Sequence, residues 1–102
     1  MSSVCEVLKT TENQIQLKGT LDWQSVADTL FQIREGFKQI STDVIELELS
    51  GLEHADTAGV AGLINASLDC IKDGKQLQLL NAPSIVSTLA KISDLEAVLG
   101  LQ

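Results

Sequence analysis

The sequence predicts a two-layer α/β domain, in which a sheet of about four or five strands carries helices on one face and leaves the other largely open to solvent. Three observations lead there. Short segments alternate strictly between apolar and polar residues, the stretches between them repeat apolar residues every three or four positions, and 102 residues suffice for one hydrophobic core. Residues 1–102 are accordingly read as a single domain, without repeat, linker or low-complexity segment.

In chain order, Val4 to Leu8 reads as a loosely patterned strand. Gln14-Ile15-Gln16-Leu17-Lys18 alternates cleanly, with Ile15 and Leu17 on one face, and Gly19 reads as the turn that ends it. Val26, Leu30, Ile33, Phe37 and Ile40 then recur at spacings of four and three, forming one helical stripe suited to the apolar face of the sheet. Ile45-Glu46-Leu47-Glu48-Leu49 is the next strand. Its glutamates at every second position argue against a sheet buried on both faces, which would show unbroken Val, Ile and Leu.

From Leu49 to Val60 the chain reads as strand, loop and helix start. The second helix begins after Asp56, presents Val60, Leu63, Ile64, Leu68 and Ile71 as its buried stripe, and stops at Lys72-Asp73-Gly74. Gln76-Leu77-Gln78-Leu79 is the last clear strand. Pro83 suits a first helical turn, with Ile85, Val86, Leu89 and Ile92 as the apolar face behind it. Ser93-Asp94-Leu95-Glu96 has the spacing of a capping box for one further turn, which Gly100 would close.

Composition narrows the function. Fourteen acidic against seven basic residues give a net charge of -7, which repels phosphate backbones and anionic lipid surfaces and favours a basic protein surface. Only Trp23, Phe31 and Phe37 are aromatic, too few to stack single-stranded bases. The opening Met-Ser-Ser-Val-Cys-Glu lacks an export signal and no apolar run approaches the roughly 20 residues of a membrane span, so the chain is read as cytoplasmic, without direct membrane insertion. Cys5 and Cys70 then read as buried free thiols, and a single histidine without clustered cysteines leaves no metal site.

No residue is read as catalytic. His54 has no nucleophile elbow before it, Gly59-Val60-Ala61-Gly62 is not followed by the Lys-Ser or Lys-Thr of a phosphate loop, and Glu46 and Glu48 alternate along a strand on its wet side. No cofactor is expected. Asp56 is placed to cap the second helix, accepting hydrogen bonds from first-turn amides and opposing the positive end of the helix dipole. Thr57 is a poor helix former beside a cap already filled, so its hydroxyl reads as an exposed group for a partner contact or for phosphorylation. Binding of a nucleotide or small anion at Asp56 to Gly59 is disfavoured by the net charge and by the lack of a nearby Lys or Arg.

These residues resemble a known family, the STAS domains, which include bacterial anti-sigma factor antagonists and the MlaB subunit of the Mla phospholipid-transport ABC complex. Gly19-Thr20-Leu21-Asp22 looks like the family's Gly-x-Leu-Asp after the second strand, and Asp56-Thr57-Ala58-Gly59 like its Asp-Ser/Thr-x-Gly before the central helix. The resemblance covers nearly the whole chain and implies the STAS two-layer fold with a mixed sheet. Threonine at 57 and Ser87-Thr88-Leu89-Ala90-Lys91-Ile92 look more like MlaB, and Ala58 stands where antagonists commonly carry serine.

The resemblance implies a non-catalytic protein-binding module. Its partner would be the cytoplasmic ATPase of an Mla-type transporter, which would hold it peripherally at the inner membrane; the alternative is an anti-sigma factor kinase, with phosphorylation of Thr57 as the switch. The expected partner-binding residues are Leu21, Asp22, Trp23, Asp56, Thr57, Ala58 and Gly59, and Phe31, lying beside its helix stripe, is a further candidate contact.

Overall fold

The computed structural model describes residues 4–96 and 98–100. Met1 to Ser3, read above for an export signal, and Ala97, in the expected last turn, lie outside them. The elements in order are β1 (Cys5–Thr11), β2 (Gln14–Leu21), α1 (Val26–Lys38), β3 (Val44–Ala55), α2 (Thr57–Lys72), β4 (Gln76–Leu80) and α3 (Ser84–Ile92). The sheet has the order β1-β2-β3-β4, with β1 antiparallel to β2 and the other two pairings parallel. The mixed sheet read from the sequence is thus four-stranded.

Alternation settles which side of the sheet is covered. Ile15, Leu17, Ile45, Leu47, Leu49, Leu77 and Leu79 are buried, while the residues between them keep their polar ends toward water. On that wet side Thr10 Oγ1 donates to Gln14 Oε1 (2.7 Å), Gln14 Nε2 donates to Glu46 Oε1 (3.2 Å), and Asn81 Nδ2 donates to both carboxylate oxygens of Glu48 (3.1 and 3.0 Å). Glu46 and Glu48 therefore stand in a solvated polar ladder, the role their spacing predicts.

The helices cover the apolar side, with α2 in contact with both α1 and α3. Gly62 lets α1 approach: a Cβ there would lie 2.5 Å from Val26 Cγ2 and 3.1 Å from Leu30 Cδ1. Covered on two flanks as well as by the sheet, α2 buries Ala66, Ser67 and Cys70 along with Val60, Leu63 and Ile64, while Leu68 and Ile71 are only half-buried. Its buried sector is wider than the five-residue stripe read from the sequence. In α1, Ile33 and Phe37 are buried as expected, and Thr29 joins them because its hydroxyl donates to the Ser25 carbonyl (2.8 Å).

Four local readings are corrected. Gly19 is not a turn: β2 runs through it to Leu21 with Gly19 at φ +108°, and an irregularity beside it puts one extra residue on β3. Residues 50–55 are not a loop, because β3 keeps its parallel pairing with β2 as far as Leu21 opposite Ala55. Ile92 is 75% exposed. The capping box does not form either: Ser93 ends α3, Asp94 takes φ +58°, and the Asp94 and Leu95 amides donate to the Lys91 and Ala90 carbonyls, a Schellman stop. Beyond it the Gly100 carbonyl accepts from the Leu79 amide (3.0 Å), covering part of the β4 edge.

Cys5 and Cys70 are free and buried. Desolvation pushes both thiols up, that of Cys70 to about 11 with Asp73 adding to the effect and Lys75 opposing it. An acid whose neutral form is favoured in the folded state contributes stability that is lost once the unfolded thiol ionises, here as pH rises past the ordinary value of 9.0. Unfolding free energy should therefore fall above about pH 9, with a shallower slope in Cys70→Ala. At pH 8, Ellman's reagent should label both thiols in denaturant and neither in the native protein.

Candidate functional site

β2 and β3 end side by side, and the segments that leave them are tied together at once. The Asp56 amide donates to the Leu21 carbonyl (3.2 Å), which closes the gap between the two strand ends. Asp56 is extended (φ -110°, ψ 176°), and its carboxylate is divided between two donors: Oδ1 accepts from the Gly59 amide (2.8 Å) and Oδ2 from the Trp23 amide (3.1 Å). The first bond is the predicted helix cap. The second joins the start of α2 to the β2–α1 loop.

That loop is held by its own network. Asp22 Oδ1 accepts from the Gln24 and Ser25 amides (3.0 and 3.1 Å), the turn that an Asp favours two and three residues ahead of itself. The buried Ser25 hydroxyl donates to the Thr20 carbonyl (2.8 Å) and accepts from the Asp22 amide (3.0 Å). Gly59 then sits so close beneath the loop that a Cβ on it would run into the Leu21 carbonyl, with the Asp22 amide 3.0 Å away. Only glycine permits this approach at 59.

The structure brings all seven expected residues together but gives them different tasks. Leu21 is fully buried and Gly59 is buried, so neither offers a side chain to a partner. Asp22 and Asp56 are half-buried, with carboxylates that accept backbone amides. Trp23, Thr57 and Ala58 are exposed, Trp23 at 69%. Sequence reasoning missed Ser25, whose signal was its position three residues after Asp22 in a turn that precedes a helix. His54 is exposed on β3 opposite Thr20, and among the described residues no three His, Cys, Asp or Glu side chains group as metal ligands would.

The sequence profile of the family described as "Mlab, STAS domain" matches residues 6–101. The chain belongs to the STAS family. Its fold is similar to that of the Bacillus cell fate determinant SpoIIAA in its phosphorylated form, at 17% identity and TM-score 0.72 over 97% of this chain and 89% of that one. It is also similar to the anti-sigma factor antagonist SpoIIAA in its unphosphorylated form, at 18% identity and TM-score 0.68 over 97% and 86% of the two chains. A comparison with curated protein sequences gave no match. Among the described residues, no helix of this STAS domain is long and apolar enough to cross a membrane.

The geometry makes two mutational series informative. Gly59→Ala forces the α2 start away from Leu21 and should cost about 1–3 kcal/mol, read as a lower midpoint in thermal or urea unfolding. At Asp56 the order of stability should be Asp, then Asn, then Ala, because an amide has one acceptor oxygen for two donors and a methyl has none. The loss in Asp56→Ala should be about 1–2 kcal/mol.

Proposed function

We propose that this STAS domain is a non-catalytic regulatory or assembly subunit that binds the cytoplasmic ATPase of an Mla-type phospholipid-transport ABC complex. The observation that supports it most directly is the match over residues 6–101 to the family described as Mlab. The local physics suits such a role. Trp23, Thr57 and Ala58 are exposed on a surface whose backbone is fixed by the two Asp56 hydrogen bonds, so a partner meets groups already in place and little ordering entropy is lost on binding. In this reading the Thr57 hydroxyl is a contact, and the domain would reside in the cytoplasm, at the inner membrane only through its partner.

A second reading has its own support in the likeness to SpoIIAA, an anti-sigma factor antagonist whose structure is known in phosphorylated and unphosphorylated forms. Thr57 would then be the phosphorylated group and an anti-sigma factor kinase the partner. A phosphate at Thr57 adds a bulky, strongly hydrated charge of about -1.5 to -2 beside the Asp56 carboxylate, and the repulsion between the two together with the desolvation the phosphate would need inside a packed contact breaks the docking.

Co-purification with the purified ATPase and with the kinase separates the two. The transporter reading predicts a stable ATPase complex with unmodified Thr57, weakened at least about tenfold by Thr57→Ala and abolished by Thr57→Glu. Undiminished ATPase binding by Thr57→Ala contradicts the contact role. A kinase complex that tolerates Thr57→Ala, is lost in Thr57→Glu and leads to a phosphorylated Thr57 peptide favours the antagonist.

A further inference from the structure

Charge is distributed unevenly along the helix direction. Residues 19–33 and 49–68, which build the strand ends, the β2–α1 loop and the N-terminal parts of α1 and α2, contain Asp22, Asp28, Glu53 and Asp56 and no Lys or Arg. Four of the seven basic residues, Arg34, Lys38, Lys72 and Lys75, line a groove of about 570 Å³ at the C-terminal ends of the same helices. There they complement the helix dipoles and are engaged locally, Arg34 with Asp69 (3.0 Å) and Lys75 with the Thr42 carbonyl (2.7 Å). Among the described residues, the two segments that carry Trp23 and Thr57 thus hold four carboxylates, the single imidazole of His54 and neither Lys nor Arg.

An indole 69% exposed in the middle of that acidic end is not a packing residue. Its backbone is nonetheless pinned, by the Trp23 amide on Asp56 Oδ2 and by the Asp22–Ser25 turn beside it. A large amphipathic ring on an ordered backbone, next to Asp22 in the chain and tied through its amide to Asp56, has the features of an interface anchor: much apolar area, few rotatable bonds and a face that attracts cations.

We infer that Trp23 is the anchor of the docking face and that the partner is a protein receiving the indole in an apolar socket rimmed by Arg or Lys. The inference rests on the reading of the α2 start as a protein-docking face, and it specifies the chemistry that meets it there. Guanidinium or ammonium groups around the socket face Asp22, Asp28, Glu53 and Asp56, which steers the encounter and disfavours acidic competitors. A second copy of this chain offers its own groove, where Arg34, Lys38, Lys72 and Lys75 stand beside Asp69 and Asp73. Head-to-tail pairing, however, would form an open chain of molecules each carrying -7, so a different, more basic protein is the occupant that fits.

Trp23 is the chain's only tryptophan, so its emission and a 5-fluorotryptophan resonance each report on this site alone. In the isolated protein at fixed ionic strength, quenching by caesium, taken relative to its quenching of N-acetyltryptophanamide, should exceed the same ratio for iodide; equal or reversed ratios overturn the acidic setting. The binding probe is the purified transport ATPase or, where wild type does not bind it, the purified anti-sigma factor kinase. The complex should shift the fluorine resonance and shield the indole, Trp23→Ala should weaken it by about 30-fold or more with its thermal midpoint unchanged, and affinity should fall as salt rises from 50 to 500 mM.

Binding of Trp23→Ala within threefold of wild type, with Thr57→Glu still defective, overturns the anchor and leaves the docking face standing. Failure of wild type to bind either probe overturns the docking face, and the anchor with it. Self-association that Trp23→Ala abolishes makes a second copy the occupant and overturns the basic partner.

Discussion

The carboxylate of Asp56 holds the molecule's working end together. Two parallel strands end next to each other, and the chain leaving each must start a helix on the same side of the sheet, so two helix starts and a loop crowd one corner. That corner contains first-turn amides with no partner inside the helix and a loop amide beside them. One side chain satisfies a donor from each, Gly59 through Oδ1 and Trp23 through Oδ2, while the missing Cβ at 59 lets the segments meet at the Leu21 carbonyl. The exposure of Trp23, Thr57 and Ala58 follows, since the backbone between them is consumed by bonding and their side chains have only the outside to occupy.

The rest of the fold delivers the strand ends to that corner. The sheet has one apolar face, so α1, α2 and α3 all lie on it, and its other face is finished with the polar ladder through Thr10, Gln14 and Glu46 and the Glu48–Asn81 pair. Burial tends to raise the Glu48 carboxyl, but the bonds it accepts from Ser50 and Asn81 outweigh that and hold it below the usual value. Glu48 is therefore held in its charged form on the wet face. Four of the protein's seven cations are gathered at the far ends of α1 and α2, which leaves the corner acidic.

What could be read from the sequence was what is encoded within a few residues. Ile15 and Leu17, Ile45 to Leu49 and Leu77 with Leu79 announce their buried face by alternation, and Asp56 announces itself as a cap by preceding an apolar helix pattern. Features set by distant neighbours could not be read this way. The Asp56–Trp23 bond spans 33 residues, β3 extends past Gly51 because β2 is there to pair with it, and the buried sector of α2 widens to Ala66, Ser67 and Cys70 because helices flank it on both sides. Ile92 looked like the fourth member of an apolar face, yet α3 stops just beyond it at Asp94 and leaves it in solvent. Gly19 resembled a turn because glycine permits positive φ, and the positive φ is present inside a continuing strand.

The central claim, that the fixed corner around Asp56 is where another protein binds, is tested most directly by amide chemical-shift mapping of the isotope-labelled domain titrated with the purified ATPase subunit. The account predicts that the shifted and broadened amides cluster at residues 20–25 and 55–60, with the outward positions of β2 and β3 and the groove around Lys38 and Lys72 unaffected. Perturbations concentrated on the wet sheet face or in that groove, with the Trp23 and Thr57 amides unmoved, would contradict it.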